Sequence, residues 1–149
     1  MIASAGLGDE WLDVAVVGGG PAGSTVAALL AARGLQVGVF ERDRFPQFHI
    51  GESMLPQSQK VWDELGVTAA LDARFQRKYG ASFVSATSGE QQSYRFAEAF
   101  DQSVSFAYQV PRADFDALLL DNAAARGATV RAGWRVLRAE PSAAPAGGR

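Results

Sequence analysis

Three consecutive glycines, Gly18, Gly19 and Gly20, follow directly on the nearly continuous apolar run Leu12 to Val17, and Gly23 comes three residues later. So much glycine is incompatible with the interior of a helix or a strand, where each glycine costs about 0.5–1 kcal/mol relative to alanine. The chain must turn there. Pro21 sits where a helix opens, because proline is tolerated in the first turn. Ala22 to Arg33 is rich in alanine and leucine and reads as that helix, with Gly34 as its stop. Leu35 to Phe40 is a second apolar run ending at Glu41, and the whole is a strand-helix-strand unit of about 30 residues. The expected fold class is therefore α/β, a Rossmann-like domain whose first strand is central in a parallel sheet and buried on both faces.

Gly18, Gly20 and Gly23 make a G-x-G-x-x-G pattern, here Gly-Gly-Gly-Pro-Ala-Gly. Gly18 permits the tight turn off the strand, Gly20 lets the backbone approach a pyrophosphate, and Gly23 lets helix and strand pack closely. The first turn, opened by Pro21, then offers the amide groups of Ala22, Gly23 and Ser24 and the positive end of the helix dipole to an anion. Glu41, with Arg42 beside it, lies at the end of the next strand, where a carboxylate accepts hydrogen bonds from ribose hydroxyls and repels a 2′-phosphate. Strand, glycines, helix and acid in register outweigh a plain glycine turn with a surface glutamate. The expectation is a dinucleotide site, with NAD and FAD both compatible with the glycine spacing.

Beyond this unit, Arg42 to Pro56 has no clear period and reads as a loop. Gln57 to Leu65 reads as a helix stopped by Gly66, and Ala69 to Phe75 as a shorter one capped by Thr68. Period-two runs at Ser82 to Ala86, Ser93 to Phe96 and Ser103 to Gln109 predict strands, a β-rich insertion in the parallel fold. Val104, Phe106, Tyr108 and Val110 would face one covered side. Pro111 to Arg126 predicts a helix with a Phe115, Leu118, Leu119 and Ala123 stripe, and Ala128 to Val130 a last strand. Asp114 and Asp116 are read as favouring the helix start through its dipole.

The run Asp-Val-Ala-Val-Val-Gly-Gly-Gly-Pro-Ala-Gly-Ser, Asp13 to Ser24, resembles the opening of FAD-dependent oxidoreductases of the glutathione-reductase and hydroxylase type, which implies FAD as the cofactor. A narrower resemblance lies in Arg44-Phe-Pro-Gln-Phe-His-Ile-Gly-Glu-Ser-Met-Leu-Pro56. It is similar to the segment after the second strand in flavin-dependent halogenases, the tryptophan halogenase-like family, with Gln47 and Met54 as departures from an arginine and a leucine. Geranylgeranyl-reductase-like flavoproteins carry a looser version. The resemblance places Gly51, Glu52 and Ser53 against the flavin and matches Lys78 to the family's essential lysine, which holds the electrophilic halogen produced from halide by reduced flavin and oxygen. An ammonium group suits that task because it donates three hydrogen bonds. Tyr-Gln-Val-Pro-Arg-Ala-Asp-Phe-Asp, Tyr108 to Asp116, resembles a strand-to-helix turn of the same superfamily and assigns Gln109 and Arg112 to the cofactor. For His49 the residue itself suggests a hydrogen-bonded structural role.

The resemblance spans residues 12 to 138, while the family's later Gly-Asp motif and Gly-Trp-x-Trp-x-Ile-Pro segment are absent. The expectation is thus an amino-terminal extension over residues 1–11, a partial FAD-binding domain over 12–140 and a disordered tail over 141–149. Such a fragment should bind FAD weakly and turn over little. The family implies an aromatic or carrier-bound substrate and a flavin reductase supplying reduced FAD. The alternatives are a fragment of a geranylgeranyl reductase-like or aromatic hydroxylase flavoprotein, or a noncatalytic nucleotide-binding remnant. With a formal net charge of -2 there is no electrostatic case for nucleic acid or an anionic membrane. The absence of cysteine and the single histidine exclude thiolate catalysis and most zinc-site spacings, so no metal is expected. With no apolar run of membrane-spanning length and no secretory signal, the expected location is cytoplasmic.

Overall fold

The computed structural model describes residues 11–140, so the expected tail and all but the last residue of the expected extension lie outside the described residues. The chain begins with β1 (Val14–Val17), α1 (Pro21–Ala31) and β2 (Val37–Glu41). These form the predicted parallel unit, with Val14 opposite Val37 and Val17 opposite Phe40. The last strand, β8 (Thr129–Ala132), joins the other side of β2 in parallel, giving the order β1-β2-β8.

One expectation about this sheet is corrected. Among the described residues β2 is central, with Val37, Gly38 and Val39 buried, and β1 is at the edge. Only one face of β1 is covered. Val14 and Val16 pack against the core, whereas Val17 is 66% exposed. An apolar run specifies a strand but does not say which of its two faces will meet a neighbour.

Helix α1 packs against α4 (Arg112–Ala125), with Ala27, Ala28 and Ala123 fully buried. Small side chains there let the two helices approach closely. α2 (Gln59–Glu64), entered through a 3₁₀ turn at Pro56–Ser58, and α3 (Thr68–Arg74) bring Trp62, Leu65 and Leu71 to the same core. Phe115 is its centre, meeting Trp62 edge-on at 5.3 Å and Phe75 at 6.0 Å between ring centroids. Burial of one such ring is worth about 1.5–3 kcal/mol, and edge-to-face pairs add about 0.5–1.5 kcal/mol each. Helices α1, α2 and α4 all end in the same pair of backbone bonds. Leu35, Val67 and Ala128 reach back to Leu30, Trp62 and Ala123, around the glycines read as stops, Gly34, Gly66 and Gly127. Thr68, expected as a cap, is instead the first residue of α3, and its hydroxyl bonds Asp63.

The segment between α1's unit and α4 is the β-rich insertion. β3 (Glu52–Ser53) and β4 (Gln76–Lys78) flank β7 (Ala107–Val110) in an antiparallel sheet, and β5 (Gly80–Val84) pairs with β6 (Gln91–Arg95) as a separate hairpin. β7 starts four residues later than Ser103. The Asp101 carboxylate accepts the Ser103 amide at 2.9 Å and the Lys60 ammonium at 2.7 Å, which turns the chain before a ladder can begin. Val104 and Tyr108 are nevertheless buried on the expected side.

Candidate functional site: a glycine loop and a strand-borne lysine

The chain leaves β1 through Gly18, whose φ of +103° is disfavoured for any residue with a side chain. Gly23 is required for a different reason. A Cβ on it would lie 2.0 Å from the carbonyl oxygen of Gly18, so α1 can sit this close to the loop only with hydrogen at that position. Gly20 shows neither constraint: its φ is -68° and a Cβ there would meet nothing within 4 Å. A glycine free of both packing and torsional demand leaves open space beside the helix start. That is the cradle a pyrophosphate needs, next to the unpaired Ala22 and Gly23 amides of the first turn.

The loop is fastened from behind. The Gly19 amide donates to Glu41 Oε2 at 2.6 Å and the Asp43 amide to Glu41 Oε1 at 2.8 Å, with Glu41 buried. Ser24 is fully buried, and its hydroxyl donates to the Gly19 carbonyl at 2.7 Å. Its side chain therefore braces the loop. Glu41 retains lone pairs for a ribose hydroxyl on the side where it lines a cleft of about 540 Å³. Gly18, Gly20, Arg42, His49, Arg112 and Trp134 also line this cleft. Arg42 is exposed and bonds Asp43 at 2.9 Å. His49 is likewise exposed, not the internally bonded residue expected.

Arg112 opens α4 and is held on two sides. Its Nε and Nη2 donate to the two carboxylate oxygens of Asp116 at 2.7 and 2.9 Å, and its Nη1 donates to Glu52 at 2.7 Å. Asp116 is 1% exposed. Its hydrogen bonds, opposed by partial burial, hold the guanidinium above its ordinary pKa. Asp116 was read only as a helix-dipole residue. The signal that would have found it is its spacing, since Arg112 and Asp116 share a helix face at i and i+4.

A second cleft of about 320 Å³, lined by His49, Gly51, Gln109 and Pro111, adjoins the first through His49. Strand pairing sets Glu52 opposite Val110 and Ser53 opposite Gln109, while β4 sets Lys78 opposite Ala107. There the Lys78 ammonium donates to Ser53 Oγ at 2.8 Å, and the Ser53 hydroxyl donates to Gln109 Oε1. The fold thus gathers the candidate residues in two groups. Gly18, Gly20, Glu41, Arg42 and Arg112 line the helix-start cleft, and Pro21, Ala22 and Gly23 follow Gly20 in the first turn of α1. Gly51, Glu52, Ser53, Gln109 and Lys78 cluster on the antiparallel sheet, with Arg112 and Glu52 bridging the groups.

No helix among the described residues is long and apolar enough to cross a membrane. Residues 11–144 match the model of the FAD binding domain family. The chain is 35% identical over 153 residues to the 1H-pyrrole-2-carbonyl-[peptidyl-carrier protein] chlorinase of Pseudomonas fluorescens, covering 90% of this chain and 34% of that protein. It is 40% identical to the tryptophan 2-halogenase of Chondromyces crocatus, covering 85% and 24%. Among solved structures it is similar to the myxobacterial chondrochloren halogenase CndH, with 40% identity and a TM-score of 0.75 over 82% of this chain and 28% of that one. A flavoprotein/dehydrogenase from Cytophaga hutchinsonii gives 40% identity and a TM-score of 0.76 over 83% and 30%. The chain spans about a third or less of the length of these relatives. With the glycine cradle, the braced acid and the match over residues 11–144 together, the chain belongs to the FAD binding domain family, and its cofactor is FAD.

Proposed function

We propose that this chain is the FAD-binding portion of a flavin-dependent halogenase-like monooxygenase, organised over residues 12–140, with Lys78 as its catalytic residue. One observation carries the reading. Lys78, Ser53 and Gln109, far apart in sequence, meet on one sheet, and Gln109 lines a cleft that shares His49 with the one formed by the glycine loop and Glu41.

FAD, when bound, would supply the oxygen activation that oxidises halide. The chain's own residues divide the remaining work. Gly20 clears space for the pyrophosphate, whose oxygens accept the Ala22 and Gly23 amides. Glu41 accepts from the ribose, Arg42 and Arg112 bring positive charge, and Gly51, Glu52, Ser53 and Gln109 bound the flavin side. Lys78 would donate through its ammonium to the oxygen of the hypohalous acid and so hold the electrophilic halogen toward substrate. The names of the relatives point to a carrier-bound pyrrole or an aromatic amino acid as the substrate class. A flavin reductase in the cytoplasm supplies reduced FAD. A dry, enclosed pocket is needed for the reactive species, so residues 1–149 alone should bind FAD weakly and show negligible turnover.

The test is Lys78→Ala in a polypeptide extended to the length of the relatives, with FAD, a flavin reductase and chloride or bromide. Halogenated product should fall by about a hundredfold or more while FAD still binds; undiminished halogenation removes Lys78 from the mechanism. The likeness to the flavoprotein/dehydrogenase favours a second reading, a reductase- or hydroxylase-type enzyme. A product mass independent of halide would select it.

A further inference from the structure

We infer that Ser53 and Gln109 are positioning residues for Lys78, held in that role by an Asp72–Arg77–Tyr108 clamp on the opposite face of the same sheet. The inference rests on the reading of Lys78 given above and adds how that lysine is aimed.

β4 is three residues long, and consecutive side chains on a strand point to opposite faces. Arg77 and Lys78 therefore diverge. On its side Arg77 makes two bonds to the Asp72 carboxylate, at 2.8 and 2.7 Å, and its guanidinium lies 4.2 Å from the Phe106 ring centre. Tyr108, directly opposite Arg77 in register and 1% exposed, donates its hydroxyl to the same carboxylate at 2.7 Å. So short an edge strand has few backbone bonds of its own to fix it. The clamp ties it both to α3, through Asp72, and to β7, through Tyr108.

On the other face the hydroxyl of Ser53 has one hydrogen, and that hydrogen goes to Gln109 Oε1. Donation in that direction leaves the oxygen lone pairs facing Lys78, whose ammonium uses one at 2.8 Å. Gln109 thus sets the orientation of the hydroxyl, and the hydroxyl sets the position of Nζ. Two of the three ammonium hydrogens remain for a ligand. The three residues belong to three different strands, so the sheet register alone brings them together.

The chain has only two lysines, Lys60 and Lys78, and Lys60 is paired with Asp101, so it serves as an internal reference. The experiment is brief amine acylation of the 149-residue chain at fixed pH, with the extent at each lysine read by peptide mass spectrometry. Ser53→Ala should raise the ratio of Lys78 to Lys60 labelling by about two- to tenfold, the range set by the net worth of one hydrogen bond. Gln109→Leu, at an exposed position, should raise it by less. Ser53→Thr, which keeps the hydroxyl, should restore the wild-type ratio. An unchanged ratio in both Ser53→Ala and Gln109→Leu overturns the inference, as does a rise in Ser53→Thr equal to that in Ser53→Ala. None of these measurements involves halide. If Lys78→Ala leaves halogenation intact the proposed chemistry fails by itself, whatever the labelling ratios show.

Discussion

The glycine loop and the lysine-bearing sheet are built on opposite plans. At the glycine loop the polar atoms are buried and doubly bonded: Ser24 is fully enclosed, Glu41 carries two backbone amides, and Gly23 excludes even a methyl group. At the lysine end Ser53, Lys78 and Gln109 sit on strands of two, three and four residues with exposed hydrogen bonds. Buried bonds resist water and count for more than exposed ones. The first region is therefore tied into the buried core. The second owes its arrangement to a few cross-strand bonds, and substitutions there should alter reactivity before they alter folding.

Five substitutions break or sharpen this contrast. Gly23→Ala forces a methyl onto the Gly18 carbonyl and should cost about 3 kcal/mol, an overpacking penalty at the upper end of its range. Denaturant melts measure the stability, and flavin fluorescence titration should show FAD binding lost with it. Asp116→Ala strips the partly buried Arg112 of its bidentate partner. The expected cost is about 2 kcal/mol, reduced from the value for fully buried pairs because Arg112 keeps some solvent contact.

Tyr108→Phe removes one hydrogen bond to Asp72, worth about 1 kcal/mol by chemical denaturation. The Tyr108 hydroxyl is pushed up to about 12, by burial first and then by its bond to Asp72. The bonds from Arg77 and then Tyr108 hold the Asp72 carboxyl below its usual range. A depressed folded-state pKa gives stability that is present above the unfolded value of about 3.9 and is lost as pH falls through the folded value. Asp72→Asn should therefore flatten the acid limb of the melting temperature against pH below about pH 4.

The smallest stability change belongs to Gly20→Ala, no more than about 1 kcal/mol at a helix N-cap with unstrained torsions. FAD affinity should nonetheless fall by about tenfold or more, because the new methyl stands where the pyrophosphate must approach. Equal losses of stability in the alanine variants of Gly20 and Gly23 would erase the distinction between a packing glycine and a ligand glycine.

Much of the rigid region was legible in the sequence, because its determinants are local. Glycine spacing, Pro21 and the stop glycines each act within a few residues of themselves, and Glu41, which reaches Gly19 from the neighbouring strand, is marked by its place at the strand end. The α4 stripe of Phe115, Leu118, Leu119 and Ala123 is buried as its periodicity implied. The aperiodic stretch from Arg42 onward was harder. β3 and β4 consist of Glu-Ser and Gln-Arg-Lys, too short and too polar to show an alternation, and they exist only because β7 offers both edges. The Asp72–Arg77–Tyr108 clamp and the Arg112–Asp116 pair were missed for a related reason. Charged residues in sequence read as solvated faces, and spacing alone does not decide which of them will pair.

The braced carboxylate of Glu41 has a thermodynamic corollary. A glutamate side chain free in solution samples many rotamers, and fixing it on a ligand costs entropy at the moment of association. Here that freedom is surrendered when the chain folds, to the amides of Gly19 and Asp43. In the role proposed for Glu41, a ribose arriving at the loop would meet an acceptor already aimed, its hydrogen bond would form without a further ordering penalty, and the calorimetric entropy of adenosine-end binding should carry little signature of this side chain.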